Sequence, residues 1–469
     1  MNIGELFDTQ INIDVSGISY DSRKTEKGDV FVAVSGFLTD GHNYAKDAER
    51  KGAVCVVGEK DIDGLKIPFI KVDNSRAALA KASHAFFGFP SKRFKLIGVT
   101  GTNGKTTVTH LIKSILEQSG EKVGLIGTNH NIIGDKVLKS QHTTPESYEL
   151  TKLFRQMADE GCTYVVAEIS SHSLSLNRVD YSNFYCGVFT NLSQDHLDFH
   201  LTMESYFEAK LKLFGMCEYG IINADDAFGR QIIDTAPCKS VSYGINNGEI
   251  KAEGIKTDAR GVEFDCLGEH FSLPIPGCFS IYNALAAISV IHLSGFGAKD
   301  AAEALKTVGG VKGRVETIST SNGFTVIIDY AHTPDGLRNL LQTAREFTKG
   351  RLIALFGCGG DRDKTKRPLM GKIAGELADF CIVTSDNPRT EQPAAIIRDI
   401  LAGMKDATAE YIILENRRDA IKFAIKSAKP DDVVLLAGKG HETYQILADK
   451  TIHFDEREIV AEAFKEMGR

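Results

Sequence analysis

Residues 98–107, GVTGTNGKTT, combine residue types that suit phosphate binding. Glycine at positions 101 and 104 lets backbone N–H groups face phosphate oxygens, and Lys105 supplies a positive charge. The Thr106 hydroxyl could bind Mg²⁺ at the start of a helix. The segment therefore predicts a phosphate-binding loop between a strand and a helix. The predicted nucleotide-binding residues are Gly101, Thr102, Asn103, Gly104, Lys105, Thr106 and Thr107.

The loop departs from the most common phosphate-loop spacing, because Val99 stands where a glycine is expected five positions before Gly104. A simple glycine turn between a strand and a helix is one alternative. A site for a redox dinucleotide is another, but that site requires further glycines in a G-x-G-x-x-G pattern and gives Lys105 no clear role. The Lys-Thr-Thr ending favours phosphate binding.

Composition limits the class of protein that can carry this loop. A chain of 469 residues, 42% of them hydrophobic, is too long for one core and suggests about three domains. With 55 basic and 62 acidic residues the net charge is −7, which argues against a broad nucleic-acid surface. No window is apolar enough for a membrane helix, and no leader pattern is seen, so we expect a cytoplasmic protein. Nine cysteines without a C-x-x-C pair indicate reduced packing residues rather than a zinc cage or disulfides.

Apolar runs that end in polar residues predict the elements around the loop. Residues 1–90 read as a small α/β domain with short strands such as DVFVAVSG. Residues 91–312 predict a domain with buried parallel strands at TYVVAEIS and CGVFTNLS, antiparallel strands over 241–275, and the helix FSIYNALAAISVIHL. Residues 313–469 contain four strands that each end in a Gly, Asp or Arg loop, which is typical of a Rossmann-like sheet.

Six segments follow one another in the order and spacing of the Mur ligase family. They are GVTGTNGKTT, EISSH, TNLSQDHLDFH, YFEAKLKLF, GCFSIYNALAA and VKGRVE. The resemblance covers essentially the whole chain. It implies an ATP-dependent amino-acid ligase of peptidoglycan synthesis with three α/β domains: a small UDP-binding domain, a central P-loop-type ATPase domain with a parallel sheet, and a C-terminal Rossmann-like domain.

The resemblance also assigns catalytic roles. Glu168 and His196 match ligands of one Mg²⁺, with Thr106 on a second Mg²⁺, and Lys105 matches the phosphate-binding lysine. Lys210 matches a lysine that CO₂ converts to a carbamate, a reaction that requires a neutral amine and hence a lowered pKa. Taken alone, Glu168 and His196 could be structural hydrogen-bonding residues, and Lys210 could be a solvated helix lysine. The resemblance further implies that Asn283 contacts adenine and that Arg314 binds the γ-phosphate.

The substrate contacts implied by the resemblance lie on both sides of the ATPase segment. Toward the N-terminus they are Ser22, Arg23, Thr143, Thr144, Ser170 and Arg178. Leu176 stands where a glutamine is expected, which leaves one polar contact open. Toward the C-terminus they are Arg362, Asp386, Asn387, Pro388, Arg389, Gly438 and Glu442. Arg389 is decisive for the amino acid, since a guanidinium fork suits the second carboxylate of diaminopimelate, which lysine lacks.

The implied reaction joins meso-2,6-diaminopimelate to the D-glutamate of UDP-MurNAc-L-Ala-D-Glu, with ATP and Mg²⁺, through an acyl phosphate. We expect a monomer that binds neither nucleic acid nor membrane. The alternatives are the same step with L-lysine, a folylpolyglutamate synthetase-like ligase, and a nucleotide-gated binding protein that hydrolyses ATP slowly.

Overall fold

The computed structural model describes residues 1–36, 39–258, 261–308, 310–319 and 322–467. The first 90 residues contain a parallel sheet whose strands are adjacent in chain order. The strands are β1 (Gly17–Ser19), β2 (Asp29–Val32), β3 (Cys55–Gly58) and β4 (Phe69–Lys71), and the helices are α1 (Ile3–Phe7), α2 (Ala45–Arg50) and α3 (Ser75–Phe86). Apolar side chains of β2 and β3 pack against α3 to form a small core.

A larger sheet follows, with the phosphate-binding segment near its centre. Its strands are β5 (Lys95–Thr100), β6 (Val123–Ile126), β7 (His130–Ile133), β8 (Lys136–Lys139), β9 (Tyr164–Glu168), β10 (Phe184–Phe189), β11 (Cys217–Asn223), β12 (Lys239–Gly244) and β13 (Ile250–Lys251). The spatial order is β13-β12-β11-β10-β5-β9-β6-β7-β8, and all neighbours are parallel except those at β7 and β8. The predicted parallel strands are confirmed, and the loops after β5, β9 and β10 therefore meet at one edge.

Helices cover both faces of this sheet, which explains why its central strands are apolar throughout. The helices are α4 (Lys105–Gln118), α5 (Ser147–Asp159), α6 (Ser171–Ser175), α7 (Leu197–His200), α8 (Met203–Phe214), α9 (Ala227–Thr235), α10 (Cys278–Leu293) and α11 (Ala298–Thr307). One core lies between the sheet and α4, α10 and α11, and the other lies under α5 and α8. The predicted helix near residue 280 is confirmed as α10.

The antiparallel region is shorter than the sequence suggests. Among the described residues between 241 and 275, antiparallel pairing joins only β14 (Glu253–Asp258), β15 (Gly261–Cys266) and β16 (Glu269–Leu273). The prediction of antiparallel strands from residue 241 was wrong for the first part, because β12 and β13 extend the parallel sheet. Their short, half-buried segments do not show the continuous apolar pattern of the inner strands.

The remainder of the chain forms a second parallel sheet with one antiparallel edge strand. Its strands are β17 (Glu316–Ser319), β18 (Thr325–Asp329), β19 (Leu352–Phe356), β20 (Phe380–Val383), β21 (Glu410–Ile413) and β22 (Val433–Ala437), followed by the hairpin β23 (Tyr444–Ile446) and β24 (Thr451–His453). The helices are α12 (Pro334–Phe347), α13 (Lys366–Leu377), α14 (Pro393–Leu401), α15 (Arg417–Ser427) and α16 (Glu456–Glu466). The spatial order β17-β18-β22-β19-β20-β21 confirms the Rossmann-like prediction.

Polar contacts join the three parts of the chain. The Tyr20 hydroxyl donates to Glu149 at 2.8 Å, which connects the first sheet to α5. Asn103 Nδ2 donates to Asp335 Oδ2 at 3.1 Å, which connects the loop after β5 to α12. The two larger sheets thus face each other across their loop edges.

Two general features complete the fold. Among the helices of the described chain, none is long and apolar enough to cross a membrane. The nine cysteines carry free thiols, and most are buried.

His84 makes the packing between the first sheet and its neighbour sensitive to acid. His84 is fully buried in α3, with Nε2 3.4 Å from the Ser182 hydroxyl. Burial lowers the pKa of His84 from 6.5 to about 4. The unfolded chain takes up this proton more readily, so the stabilising effect of His84 is complete above about pH 6.5 and is lost as the pH falls toward 4.

We therefore expect His84→Gln to reduce the acid sensitivity of the protein. Between pH 7 and pH 5, the wild type should lose about 2 kcal/mol more unfolding free energy than the variant. Urea unfolding at the two pH values measures the difference. The same pH dependence in both proteins would contradict the assignment.

Candidate active site

The phosphate-binding segment forms a tight turn at the centre of the larger sheet. β5 ends at Thr100 and α4 begins at Lys105, as predicted. Gly101 and Gly104 have φ values of +147° and +87°, which disfavour any other residue. A Cβ on Gly101 would lie 1.9 Å from Thr190 Oγ1, and a Cβ on Gly104 would lie 2.5 Å from Asn283 Oδ1. The turn therefore requires both glycines for conformation and for space.

Lys105 lies over this turn. Its Nζ donates to the carbonyls of Gly101 at 2.8 Å and Thr102 at 2.9 Å. Burial, together with the nearby Arg314, lowers the pKa of Lys105, and the Glu168 carboxylate acts in the opposite direction. The ammonium group thus lies at the start of α4, where it and the helix N-terminus can together stabilise a bound negative charge.

Glu168 brings a carboxylate beside the loop. It ends β9 and pairs in register with Val99 of β5, and it is 1% exposed. Thr106 Oγ1 donates to Glu168 Oε2 at 3.1 Å, and Thr128 Oγ1 donates to the same oxygen at 2.9 Å. Hydroxyl and carboxylate oxygens, the ligands that Mg²⁺ prefers, thus meet at the start of α4.

His196 lies in the loop after β10, directly before α7. Burial lowers the pKa of His196 to about 3. The neighbouring Asp195 has one oxygen 3.5 Å from His196 Nε2 and 3.7 Å from His332 Nε2, and the other 3.6 Å from Lys366 Nζ. Burial alone would raise the pKa of Asp195, but His332 and Lys366 hold it well below its usual range. Asp195 links the two larger sheets and was not singled out from the sequence, although it also follows a strand.

Lys210 is a buried amine on α8. It is 1% exposed, and its Nζ lies 4.6 Å from the centre of the Tyr206 ring. Burial, and then the charge of Lys105, lower the pKa of Lys210 well below its usual range. Within the described residues, no carboxylate forms an ion pair with it. Burial without a carboxylate partner thus favours the neutral form of the amine.

A cleft of about 460 Å³ opens beside the loop, between α10 and α12. Asn283 and Arg314 line it, together with Gly104. Arg314 Nη2 donates to Thr106 Oγ1 at 3.2 Å, although the two residues are far apart in sequence. The cleft thus collects five of the nine predicted nucleotide residues, since Asn103 and Thr107 also line it, whereas Gly101, Thr102, Lys105 and Thr106 do not. It is also lined by residues that the sequence analysis did not select: Asn191, Asn223, Tyr282, Asp335 and Asn339.

Thr143, Thr144, Ser170 and Arg178 gather next to Glu168. Thr144 Oγ1 donates to the Glu168 carbonyl at 2.8 Å and accepts from Ser170 N at 3.0 Å. The hydroxyls of Thr143 and Thr128 share a hydrogen bond of 3.0 Å. Arg178 Nη1 donates to the Thr144 carbonyl at 3.2 Å. These residues form one surface beside the loop.

Arg178 is paired with Glu146, which also binds Arg76 of α3. Arg178 Nη2 lies 2.8 Å from Glu146 Oε1, and Arg76 Nη1 lies 3.1 Å from Glu146 Oε2. The Arg178 Nε atom is buried and has no hydrogen-bond partner in the described chain. Two guanidinium groups thus share one carboxylate between the first sheet and the larger sheet.

Ser22 and Arg23 are not brought to this surface by any contact of the described residues. They lie in a 3₁₀ turn, Ser22–Lys24, near β1. The Arg23 side chain is exposed and pairs with Asp21 at 2.8 Å, and the Ser22 carbonyl accepts from Lys51 Nζ at 2.8 Å. If Ser22 and Arg23 bind the substrate as predicted, they therefore contact a different part of it from Thr143, Thr144, Ser170 and Arg178.

A buried polar cluster lies at the carboxyl ends of β20 and β22. Lys439 is fully buried, and its Nζ lies 3.3 Å from Asp386 Oδ1 and donates to Asn387 Oδ1 at 2.9 Å and to Glu442 Oε2 at 3.1 Å. Asn387 Nδ2 also donates to Glu442 Oε2 at 2.9 Å. Lys439 was missed in the sequence analysis, although it directly follows the predicted residue Gly438.

Arg362 and Arg389 lie at the edge of this buried cluster. Arg389 has φ +52°, and its Nη1 donates to the Gly360 carbonyl at 2.8 Å. Burial, followed by the nearby charge of Arg362, lowers the pKa of Arg389. In the described part of the chain, neither guanidinium pairs with a carboxylate. Pro388 closes the turn, since a Cβ on Gly360 would lie 1.9 Å from its carbonyl oxygen.

Comparisons with known proteins identify the family of this chain. Three family profiles match consecutive segments: "Mur ligase family, catalytic domain" at residues 14–87, "Mur ligase middle domain" at 99–291, and "Mur ligase, glutamate ligase domain" at 313–440. A protein of Clostridium botulinum described as UDP-N-acetylmuramoyl-L-alanyl-D-glutamate--2,6-diaminopimelate ligase is 52% identical over 97% of this chain and 96% of its own length. The chain belongs to the Mur ligase family.

Two further Mur ligases support the match over the full length. A relative with the same description from Caldanaerobacter subterraneus is 51% identical over 97% of this chain and 96% of its own length. A solved structure titled as UDP-N-acetylmuramoyl-L-alanyl-D-glutamate--2,6-diaminopimelate ligase has a TM-score of 0.70 at 30% identity, and covers 100% of this chain and 99% of that chain. The three-part α/β fold is therefore that of a Mur ligase.

The glycine at position 101 provides a direct test of the loop. Gly101→Ala should lower the melting temperature, because the added Cβ overlaps Thr190 Oγ1 at a positive φ. Gly120→Ala is the matched control, since Gly120 also has a positive φ, +90°, but no atom lies within 4 Å of the added Cβ. We expect about 1 kcal/mol of destabilisation for the control and about 2–4 kcal/mol for Gly101→Ala. Equal melting temperatures for the two variants would contradict the crowded geometry.

Proposed function

We propose that this Mur ligase joins meso-2,6-diaminopimelate to the D-glutamate carboxylate of UDP-MurNAc-L-Ala-D-Glu, in the cytoplasm and with ATP. The descriptions of the relatives and the geometry of the two polar pockets support this function. We also propose domain limits at 1–90, 91–312 and 313–469, and a monomer as the active form. The separate sheets of the fold support these limits.

The pair Arg362 and Arg389 carries the proposal for the amino acid. Two guanidinium groups without carboxylate partners in the described chain stand beside a buried cluster rich in acidic side chains. Diaminopimelate presents a carboxylate and an ammonium group at each end. A carboxylate can bind the arginine fork, while an ammonium group can donate to Asp386 or Glu442. Neither charge of the amino acid would then be buried unpaired.

The cleft beside the loop is the proposed ATP site. Backbone N–H groups of the loop, Lys105 and Arg314 would bind the phosphates, and Asn283 would contact adenine. The Glu168 carboxylate and His196 would hold one Mg²⁺, and the Thr106 hydroxyl, 3.1 Å from Glu168 Oε2, would bind a second. The described residues contain no preformed cluster of three acidic, His or Cys ligands. When bound, Mg²⁺ would neutralise charge on the transferred phosphate.

Lys210 is proposed to be carbamylated. The Lys210 ammonium group would first lose one proton, and the resulting neutral amine would attack CO₂ to form a carbamate with release of a second proton, which converts a buried cation into an anion. The burial of the amine and its lack of a carboxylate partner in the described chain support this. A negative group at Lys210 would also remove the repulsion between its ammonium group and that of Lys105.

The chemistry then proceeds in two steps. The glutamate carboxylate attacks the γ-phosphorus, ADP leaves, and an acyl phosphate forms, while Lys105 and Arg314 stabilise the spreading charge. The amino group of diaminopimelate, having lost a proton, attacks the acyl carbon, and phosphate leaves as the amide forms. The structure contributes by positioning, since the two pockets lie on sheets that face each other.

Three alternatives remain distinguishable. L-lysine in the same step would leave Arg389 unpaired. A folylpolyglutamate synthetase-like ligase would not explain the first 90 residues or the DNPRTE segment. A nucleotide-gated binding protein that hydrolyses ATP slowly would not explain the presence of two polar sites, the cleft beside the loop and the buried cluster around Lys439. An assay with UDP-MurNAc-L-Ala-D-Glu, ATP and each candidate amino acid tests all three, and ADP release without a new amide would contradict the proposed function.

Carbamylation predicts a signal that can be observed apart from activity. With ¹³C-bicarbonate, the wild type should show a carbamate resonance in ¹³C NMR that is absent in Lys210→Ala. Lys212→Ala is the matched control on the same helix, because Lys212 is exposed, and it should keep the resonance. A resonance in Lys210→Ala, or none in the wild type, would contradict the assignment.

Arg389 predicts the preference between amino acids. Diaminopimelate should be used far better than L-lysine, and Arg389→Ala should reduce kcat/KM for diaminopimelate by about 100-fold with little change for lysine. Arg398→Ala, which changes an exposed arginine of α14, should leave both values unchanged. Steady-state kinetics with the two amino acids measures the effect. Equal loss on both amino acids would show that Arg389 does not read the second carboxylate.

A further inference from the structure

A buried ion pair lies beneath the amino-acid pocket, between α15 and α16. Arg417 and Glu456 are both fully buried, with Arg417 Nη2 2.7 Å from Glu456 Oε1 and Arg417 Nε donating to the same oxygen at 2.9 Å. Arg417 Nη2 also donates to the carbonyl of Ala437 at 2.8 Å, at the end of β22. Burying two charges is costly even when they pair, so stability alone is a weak explanation for this arrangement.

Gly438 lies beside both Arg417 and Asp386. A Cβ on Gly438 would lie 2.6 Å from Asp386 Oδ2 and 4.0 Å from Arg417 Nη2. The carboxylate and the guanidinium therefore flank the same glycine. Burial opposes ionisation of Asp386, but Lys439 and then Arg417 keep its pKa below the usual value. Arg417 thus favours the charged form of the Asp386 carboxylate.

The hydrogen bonds of this region are incomplete. Asp386 Oδ1, Arg417 Nη1 and Glu456 Oε2 are buried and have no hydrogen-bond partner among the described residues. Buried polar atoms are nearly always paired, by protein, water or ligand. Asp386 Oδ1 therefore has an acceptor position to offer, although Lys439 Nζ lies 3.3 Å away.

The charges of the region are also unequal. Three buried carboxylates, Asp386, Glu442 and Glu456, face two buried cations, Arg417 and Lys439. One negative charge is left over within this group. A ligand ammonium would neutralise it, whereas a ligand carboxylate would be repelled toward Arg362 and Arg389.

We propose that Arg417, held by Glu456, is a positioning residue for amino-acid recognition. It orients Asp386 so that Oδ1, which pairs with Lys439 but accepts no hydrogen bond in the described chain, accepts one from the ammonium group of the amino acid. Arg417 does not touch the amino acid. It acts through the Ala437 carbonyl and through Asp386. This inference rests on the proposed function, because it assumes that the pocket binds an amino acid.

The test replaces the pair without leaving a buried charge. The double variant Arg417→Met with Glu456→Met keeps the net charge of the group and should fold, since apolar replacement of buried pairs is tolerated. Its KM for diaminopimelate should rise roughly tenfold, as expected for one misplaced charge-assisted hydrogen bond, while KM for ATP and for UDP-MurNAc-L-Ala-D-Glu stays unchanged. Arg418→Met with Glu462→Met is the matched control, because this pair joins the same two helices at 2.6 Å on the surface. It should leave all three KM values unchanged.

The outcomes separate the inference from the proposed function. If the double variant melts well below the wild type, Arg417→Lys provides the same test, because it keeps the charge but loses the fork that contacts Glu456 and Ala437. An unchanged KM for diaminopimelate in a folded variant overturns the inference and leaves the proposed function intact. A similar rise in all three KM values shows a merely structural role and also overturns it. Failure of the wild type to ligate or bind diaminopimelate, measured by calorimetry, overturns the proposed function itself.

Discussion

The active-site geometry depends on one constraint: parallel strands end at the same edge of a sheet, and two such edges face each other. The loop after β5, Glu168 at the end of β9 and His196 after β10 lie at one edge because β9 and β10 both pair with β5. Asp386 and Lys439 likewise meet at one edge of the second sheet, where β19 separates β20 from β22. Because the edges face each other, Arg314 can contact Thr106 across the cleft. Phosphate chemistry and amino-acid binding can therefore share one space.

Much of this arrangement was predictable from residue patterns. Apolar runs that end in polar loops indicated the parallel strands, and the glycines and Lys105 indicated the turn before α4. The patterns of Glu168 and Lys210 became specific only with the family resemblance, since an isolated carboxylate or lysine is ambiguous. Burial then distinguishes Lys210 from a surface lysine, and burial depends on long-range packing.

Other features could not be predicted because they arise from pairing between distant segments. Lys439 and Asp195 each follow a strand, but their roles depend on which residues the opposite loop or sheet brings near. The parallel pairing of β12 and β13 was mistaken for antiparallel structure because short edge strands carry little periodic signal. The ion pair of Arg417 and Glu456 has no local signature, as each looks like an ordinary helix charge.

The carboxylate of Glu146 ties Arg76 of the first domain to Arg178 beside the phosphate loop. In the proposed function, Arg178 also binds a carboxylate of the nucleotide-linked substrate, so that anion and Glu146 compete for one guanidinium. The two interactions are then thermodynamically linked. Substrate binding to Arg178 weakens the ion pair between Arg178 and Glu146, and a stronger ion pair lowers the affinity for the substrate by the same free energy. In the proposed function, the first domain would therefore contribute to the energetics of substrate binding through Glu146 as well as bind UDP.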